Sequence, residues 1–212
     1  MSYMPHDHMI LIDVETTGID HERDLLLELS AIVVDKNLEE VAVLDSFVVH
    51  HPANKVDSII DANDAEIGRP VVRNMHEATG LLERVQKSIN TLRHLEISLN
   101  SFLDRHFGEG SDRIIVIGNS VRFDLDYIRV NLPSVHRRLN KRIVDVSGIF
   151  EAINFLDPWI LEGFIPQPGD HNSLNDLRAC LNQLRYVKHV LGMAKWTMTA
   201  HLDPIPASDE SA

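Results

Sequence analysis

Cysteine is nearly absent from this 212-residue sequence, in which Cys180 is the single example. One cysteine excludes an internal disulfide framework and a zinc site built from cysteines, and it favours a reducing, cytoplasmic compartment. Leucines recur at helical spacing around Cys180, so we expect this side chain to belong to the core.

Long apolar runs are absent as well. No run approaches the roughly 20 residues that a transmembrane helix requires, and residues 1–8 lack the basic-then-apolar order of a signal peptide. We therefore expect a soluble, cytoplasmic protein that makes no membrane contact.

Positive charge is scarce: Lys and Arg total 20 against 32 Asp and Glu, which gives a net charge of −12. Duplex nucleic acid is bound through many cations that neutralise phosphates, so this balance argues against a long electrostatic track. Any nucleic-acid substrate is expected to be short. The net charge alone does not distinguish such a protein from an ordinary acidic cytosolic protein. Part of the negative charge would come from carboxylates if they form a metal site.

The chain is 44% hydrophobic and can bury one sizeable core, and its length favours one domain. We assign residues 1–191 to this domain. Residues 192–212 contain Pro204, Pro206 and several acidic residues, and we expect them to form a flexible tail. Strand and helix patterns alternate along the domain, so the predicted fold class is α/β.

The apolar pattern predicts three opening strands, at residues 9–12, 25–35 and 40–49. Residues 56–73 are polar and interrupted by glycine and proline, which predicts a long irregular connection. One amphipathic helix is expected from Val85 to Leu103. Later elements are predicted as strands at 113–117 and 141–144, and as helices at 124–131, from the second of these strands to about Phe155, and at 173–191.

The most informative stretch is Asp-Val-Glu-Thr-Thr-Gly at residues 13–18, directly behind the apolar run 9–12. Residues i and i+2 of a strand point to the same face, so Asp13 and Glu15 would present two carboxylates together. Hard cations such as Mg²⁺ take oxygen ligands held on a rigid element. The pattern favours metal-dependent phosphoryl chemistry, although a strand end that turns polar at the surface would read the same way.

Two later clusters supply further candidate groups. Asp124 follows a strand and a Gly-Asn-Ser loop, in the first turn of a helix, where an acid also serves simply to complement the helix dipole. His171 lies in a loop and Asp176 in the opening turns of the last helix. A histidine beside a fixed carboxylate suits a base and a metal ligand, and the alternative is a loop histidine beside a surface charge.

The order of these groups resembles the Asp-Glu-Asp-Asp-His superfamily of DnaQ-like 3′-to-5′ exonucleases. All five positions are filled, by the following residues: Asp13, Glu15, Asp124, His171 and Asp176. From Ile10 to about Val190 the chain resembles the oligoribonuclease family in particular. The matching stretches are residues 75–85, 118–120, 145–147 and 160–164.

The resemblance implies a ribonuclease-H-like exonuclease fold, with a mixed five-stranded sheet flanked by helices. It also implies two Mg²⁺ or Mn²⁺ ions held by the four carboxylates, with His171 accepting the proton of the attacking water. Imidazole suits that role because its unperturbed pKa lies near neutrality. The implied activity is 3′-to-5′ removal of nucleotides from short single-stranded RNA, or from DNA, by a homodimer.

Substrate contacts are also implied by the resemblance, at the following residues: Thr16, Ile19, His76, Asn119, Ser120, Arg142 and Ser147. Ser120, Arg142 and Ser147 match positions that contact the terminal phosphate in relatives. Two departures concern aromatic residues. Val71 stands where a Trp wedges a base, and residues 141–143 read Lys-Arg-Ile in place of Tyr-Arg-Tyr. The aromatic side chain that a second subunit lends to the site in that family is therefore missing.

Two rival functions remain open. A proofreading-type or ribonuclease-T-like exonuclease would act on longer single-stranded DNA or RNA, and a length series of substrates separates it from an oligoribonuclease. A non-catalytic nucleic-acid-binding or interaction subunit would show no metal-dependent hydrolysis.

Overall fold

The computed structural model describes residues 7–166 and 171–197. Five strands of this described part form one sheet: β1 (His8–Thr16), β2 (Leu26–Asp35), β3 (Glu40–Val48), β4 (Ile114–Gly118) and β5 (Leu139–Asp145). The spatial order is β3-β2-β1-β4-β5, and β1 pairs antiparallel with β2 but parallel with β4. The sheet is therefore mixed, and its central strand carries the Asp-Val-Glu stretch.

Helices connect the strands and pack on the sheet. They are α1 (Ala53–Ile67), α2 (Val71–Ala78), α3 (Leu81–Lys87), α4 (Leu92–Phe107), α5 (Arg122–Asn131), α6 (Pro133–His136), α7 (Val146–Leu156), a 3₁₀ helix (Pro158–Gly163) and α8 (Ser173–Thr197). The α/β class, the mixed sheet and the three opening strands agree with the predictions from sequence.

The central strand β1 separates two parts of the core. Ile10 and Ile12 are buried in a cluster that includes residues of α4 and α5. Leu11 is buried in a second cluster, with residues of α8. Because residues two apart on a strand share a face, Asp13 and Glu15 lie on the same side of the sheet as α8.

The structure corrects the expectation of an irregular connection at residues 56–73, which form α1 and the start of α2. Polar side chains suggested a loop, but some of them are buried and paired: Asn63 Nδ2 donates to the Thr17 carbonyl at 2.8 Å. Gly68 ends α1 with a φ of +80°, a left-handed cap that glycine adopts readily. Pro70 then precedes α2. Glycine and proline thus separate two helices.

The single helix predicted from Val85 to Leu103 is likewise two helices, α3 and α4. Thr91 caps α4, because its Oγ1 accepts a hydrogen bond from His94 N at 3.3 Å and the His94 side chain caps the Thr91 backbone in return. Ile89 was counted in the apolar stripe, yet it lies between the helices and is 85% exposed. The regular spacing of apolar residues continues across the break between α3 and α4, whereas the capping residues Thr91 and His94 determine where α4 begins.

The last helix begins at Ser173 and runs to Thr197 instead of ending at Leu191. The rest of the predicted tail, residues 198–212, lies outside the described residues, so its flexibility stays a prediction. The single domain at residues 1–191 also stays a prediction. Over the described ranges, no helix combines the length and apolar character needed to cross a membrane.

Candidate metal and active site

Three carboxylates converge at the carboxyl end of β1. Asp13 and Glu15 share one face of the strand, and Asp176 lies in the first turn of α8. One oxygen from each of the three lies within 4.8 Å of the other two. Oxygen ligands at this spacing suit a hard divalent cation such as Mg²⁺ or Mn²⁺.

Asp124 reaches the same end of the sheet from α5, the helix that follows β4. Its Oδ1 accepts a hydrogen bond from the backbone N of Val14 at 2.9 Å. Val14 separates Asp13 from Glu15, so this bond fixes the Asp124 carboxylate beside the backbone between them. The structure therefore brings all four predicted carboxylates to one end of the sheet.

The carboxylates lie close together, and two of them, Glu15 and Asp124, are buried. Burial, followed by the negative charges of Asp176 and Glu28, raises the pKa of Glu15 to about 8. Burial also raises the pKa of Asp124 to about 7, despite the backbone hydrogen bond that it accepts. The pKa of Asp13 is raised by burial and by the charges of Asp124 and Glu15. A divalent cation would neutralise this cluster, and the all-oxygen donor set fits one.

His171 lines the same cleft as the carboxylates. The cleft has a volume of about 320 Å³, and its walls include Asp13, Asp176, Phe164 and Gln183. The His171 side chain is exposed, and the backbone has a φ of +56°, a left-handed conformation that is uncommon outside glycine. An accessible imidazole that shares a cleft with clustered carboxylates suits a general base.

Ser120 and Ser147, two predicted phosphate contacts, lie together just beyond β4 and β5. Ser147 Oγ accepts from Ser120 N at 2.9 Å and donates to Asp145 Oδ1 at 2.6 Å. Burial acts to raise the pKa of Asp145, but hydrogen bonds from Ser147, Gly148 and Ser120 lower it overall. Asp145 therefore orders both serines, a role that the sequence did not predict.

Arg142 is the third predicted phosphate contact. It lines a second cleft, of about 470 Å³, whose walls include Arg137 and Lys141. Asn119 instead lines the carboxylate cleft, where its Nδ2 donates to Gln183 Oε1 at 2.7 Å. Within one chain, Asn119 and Arg142 thus line different clefts.

His76 and Thr16 support the end of β1. His76 is fully buried, and its Nε2 lies 2.7 Å from the Thr16 carbonyl oxygen. Thr16 Oγ1 donates to the Gly18 carbonyl at 2.6 Å. These contacts support the end of the strand, and the contact of Thr16 and His76 with substrate stays a prediction. Ile19, by contrast, is 86% exposed and accessible to a base.

Glu28 is a residue of this region that the sequence analysis missed. It pairs in register with Glu15 on the neighbouring strand β2 and is completely buried. A signal was present in the sequence, since Glu28 is a lone charge between Leu27 and Leu29 in an apolar strand. Charged side chains are almost never fully buried unless they are paired.

Solved structures with a similar fold include exonuclease I from Methylocaldum szegediense, with a TM-score of 0.59 and 16% identity. Another is the zinc-bound complex of E. coli exonuclease I with single-stranded DNA, with a TM-score of 0.60 and 14% identity. They match 86% and 91% of this chain, which spans 40% and 43% of their lengths. The likeness confirms the predicted ribonuclease-H-like exonuclease fold.

Fold and site together define a nuclease of the ribonuclease-H-like class. The pattern of the exonuclease family (RNase_T) matches residues 10–184, and the chain belongs to this family. Curated relatives include oligoribonucleases from Escherichia coli K12, at 32% identity, and Marinobacter nauticus, at 30%, each aligned over 86% of this chain and 94% of its own length. The oligoribonuclease of Corynebacterium glutamicum is 27% identical over 97% of this chain and 86% of its own length.

Proposed function

We propose that this protein is a metal-dependent 3′-to-5′ exoribonuclease that degrades short oligoribonucleotides to mononucleotides. The observation that carries the proposal is the convergence of Asp13, Glu15 and Asp176 within 4.8 Å, with Asp124 hydrogen-bonded to the backbone between the first two. The similarity to oligoribonucleases over most of the chain supports the substrate class.

We assign the four carboxylates to two Mg²⁺ or Mn²⁺ ions. When bound, two such ions activate a water molecule and stabilise the departing 3′ oxygen in an in-line displacement. Asp13, Glu15 and Asp176 supply oxygens from β1 and α8, and Asp124 supplies its carboxylate from α5. His171 accepts the proton of the attacking water. Cleavage of the P–O3′ bond releases a nucleoside 5′-monophosphate.

Short substrates are favoured by a terminal-phosphate pocket that we assign to Ser120, Ser147 and Arg142. The hydroxyl groups of the two serines lie 3.3 Å apart. A 5′ phosphate can occupy that pocket only when few nucleotides separate it from the scissile bond. The exposed Ile19 would contact a base, and Asn119 lies in the wall of the carboxylate cleft.

A length series tests the proposal directly. RNA and DNA of two to twenty nucleotides, labelled at the 5′ end, are digested with Mn²⁺, with Mg²⁺ and with a chelator, and initial rates are compared. We expect hydrolysis that requires metal and falls as RNA length increases. Equal rates on two-mers and twenty-mers would indicate the proofreading-type alternative. Absence of metal-dependent hydrolysis would indicate a non-catalytic subunit.

We further propose a homodimer. Within one chain Arg142 and the carboxylates line different clefts, and a symmetric pair could bring Arg142 or Lys141 of one subunit to the site of the other. Phe155 and Trp159 are 87% and 74% exposed near the end of α7, and they are candidates for such an interface. Light scattering should give twice the chain mass of 24.0 kDa, and a monomer at micromolar concentration would contradict the proposal.

A cytoplasmic location is also part of this proposal. Cys180 is a buried free thiol, and burial raises its pKa to about 12. The protonated thiol has no catalytic part in the reaction, and it is compatible with a reducing compartment. Cell fractionation with an epitope-tagged chain would test this location.

A further inference from the structure

A chain of buried polar groups joins the sheet to α8, and the reaction proposed above does not use it. It centres on Glu28, whose side chain is completely inaccessible to solvent. Glu28 Oε1 accepts a hydrogen bond from Ser173 Oγ at 2.7 Å. Glu28 Oε2 lies 2.5 Å from Arg84 Nη1, in an ion pair. Ser173 on α8 thus hydrogen-bonds one oxygen of the buried carboxylate, whereas the other oxygen forms an ion pair with Arg84 on α3 and has no hydrogen-bond partner among the described residues.

The chain of contacts closes through two further serines. Ser30 Oγ lies 2.7 Å from Ser173 Oγ and accepts from the backbone N of Ser46 at 3.0 Å. Arg84 Nη1 donates to Ser46 Oγ at 2.7 Å. An unpaired buried carboxylate is strongly unfavourable, so the groups around Glu28 are held together by the need to satisfy its charge. The result is a fixed attachment between β2, β3, α3 and α8.

Ser173 is the point at which this network meets α8. It is the first residue of the helix, and Asp176 lies in the same first turn. Asn172 caps the turn, since its Oδ1 accepts from Asn175 N at 3.2 Å and its carbonyl accepts from Asp176 N at 2.9 Å. His171 directly precedes this cap. The hydroxyl of Ser173 therefore anchors a turn that presents both the proposed base and a proposed metal ligand.

The network also lies next to the carboxylates on β1. Glu28 is the cross-strand partner of Glu15, and residues paired across neighbouring strands project from the same face of the sheet. The same glutamate is thus adjacent to one proposed ligand on β1 and bonded to the turn that carries another on α8. Glu28 is therefore placed to set the distance between β1 and α8, the two elements that carry these proposed ligands.

We propose that Ser173 and Glu28 are positioning residues, which hold the first turn of α8 at the distance from β1 that metal binding requires. This inference rests on the proposed function only in that Asp13, Glu15 and Asp176 bind a metal ion. Loss of a group that supports a metal ligand typically weakens metal affinity by about 10 to 100-fold. Ser173→Ala should weaken Mn²⁺ binding by about 10-fold, since it removes one hydroxyl and retains every ligand.

The matched control is Ser134→Ala. Ser134 Oγ donates to Glu96 Oε1 at 2.6 Å, so this variant also removes a serine–glutamate hydrogen bond, between α4 and α6. Mn²⁺ affinity is measured by calorimetry on the intact protein, and amide hydrogen exchange is followed over residues 173–177. We expect weaker Mn²⁺ binding and faster exchange in that turn for Ser173→Ala alone, with similar melting temperatures for the two variants.

Glu28→Gln and the double variant with Ser173→Ala complete the test. If the two residues act through their shared hydrogen bond, the fold-loss of Mn²⁺ affinity in the double variant should be smaller than the product of the fold-losses in the two single variants. Mn²⁺ affinity and amide exchange of Ser173→Ala equal to those of Ser134→Ala would overturn the proposal. These measurements need no turnover, so a parent protein that binds Mn²⁺ but hydrolyses no RNA would refute the proposed function and still test the positioning role.

Discussion

The carboxylate cluster and the exposed positions expected to touch substrate are built in opposite ways. The cluster draws on three elements. Glu15 and Asp124 are buried, at 7% and 4% exposure, and Asp13 and Asp176 are half-buried. Of the substrate-contact positions, Ile19 is 86% and Val71 is 39% exposed, and Arg142 lies on the surface. Substitutions in the cluster alter the charge of several carboxylates that lie close together, whereas substitutions at the exposed positions alter single contacts.

The departures from the family pattern follow the same division. Val71 and residues 141–143 lie on α2 and β5, outside the central strand, while the five proposed catalytic residues are all present. We infer that the carboxylate cluster determines the reaction and that the exposed positions determine the preferred substrate length and the affinity for substrate. Substitutions in the first group should therefore affect rate by orders of magnitude, and those in the second should affect discrimination between substrates.

The largest effect is expected from Asp13→Ala. It removes one of the three converging carboxylates, and the charge stabilisation supplied by a metal site amounts to several kcal/mol, so hydrolysis should fall by about 10³-fold or more. Steady-state rates at saturating Mn²⁺ measure the loss. Asp126→Ala is the control, because Asp126 lies on α5 in an i,i+3 ion pair with Arg129 and is not one of the proposed ligands. Near-normal turnover of Asp13→Ala would refute the metal assignment.

His171→Asn should cost about 10² to 10⁴-fold in kcat, the usual contribution of general-base catalysis. Mn²⁺ affinity should stay near that of the parent, because the assigned ligands are the carboxylates. Calorimetry and single-turnover kinetics separate the two quantities. Weakened metal binding with a normal rate at saturating Mn²⁺ would instead make His171 a ligand or a structural residue.

Arg142→Gln tests an exposed position. A hydrogen bond to a charged group contributes about 1.5 to 3 kcal/mol, so loss of a phosphate contact should raise KM by about 10 to 100-fold for dinucleotides with a 5′ phosphate. Dinucleotides that end in a 5′ hydroxyl should be affected much less. Arg137→Gln is the control, since Arg137 lines the same basic cleft and is not assigned to the phosphate. Equal effects of the two substitutions on both substrates would exclude a specific phosphate contact.

Local patterns in the sequence predicted the parts of the structure that depend on neighbouring residues. The alternation of side chains between the two faces of a strand was sufficient to place Asp13 and Glu15 on one face of β1. Contacts between distant residues were not predictable in this way: Ser173 and Glu28 stand 145 positions apart in the chain, and the Asn63 amide that stabilises α1 bonds to a carbonyl 46 positions away. Polar residues suggested a loop at 56–73 because their partners, which make burial possible, lie elsewhere in the sequence.

The smallest expected effect comes from Val71→Trp, which adds the aromatic group that the family places at this position. Val71 is the first residue of α2, and the same helix carries His76, which contacts the backbone at the end of β1. A stacked base contributes about 1 to 3 kcal/mol, and an added ring that has not been optimised should reach the lower end. We therefore expect kcat/KM for dinucleotides to rise by about 5-fold relative to that for pentanucleotides.

Val130→Trp is a suitable control for this substitution, because Val130 on α5 is 37% exposed, close to the 39% of Val71. A Trp that merely adds apolar surface would act alike at both positions. If only Val71→Trp makes the rate depend more steeply on substrate length, the parent protein discriminates weakly between lengths because it lacks an aromatic ring to stack on a base. If the parent protein already cleaves only dinucleotides, Val71 is not the reason for its selectivity, and the terminal-phosphate pocket at Ser120, Arg142 and Ser147 must account for the length limit by itself.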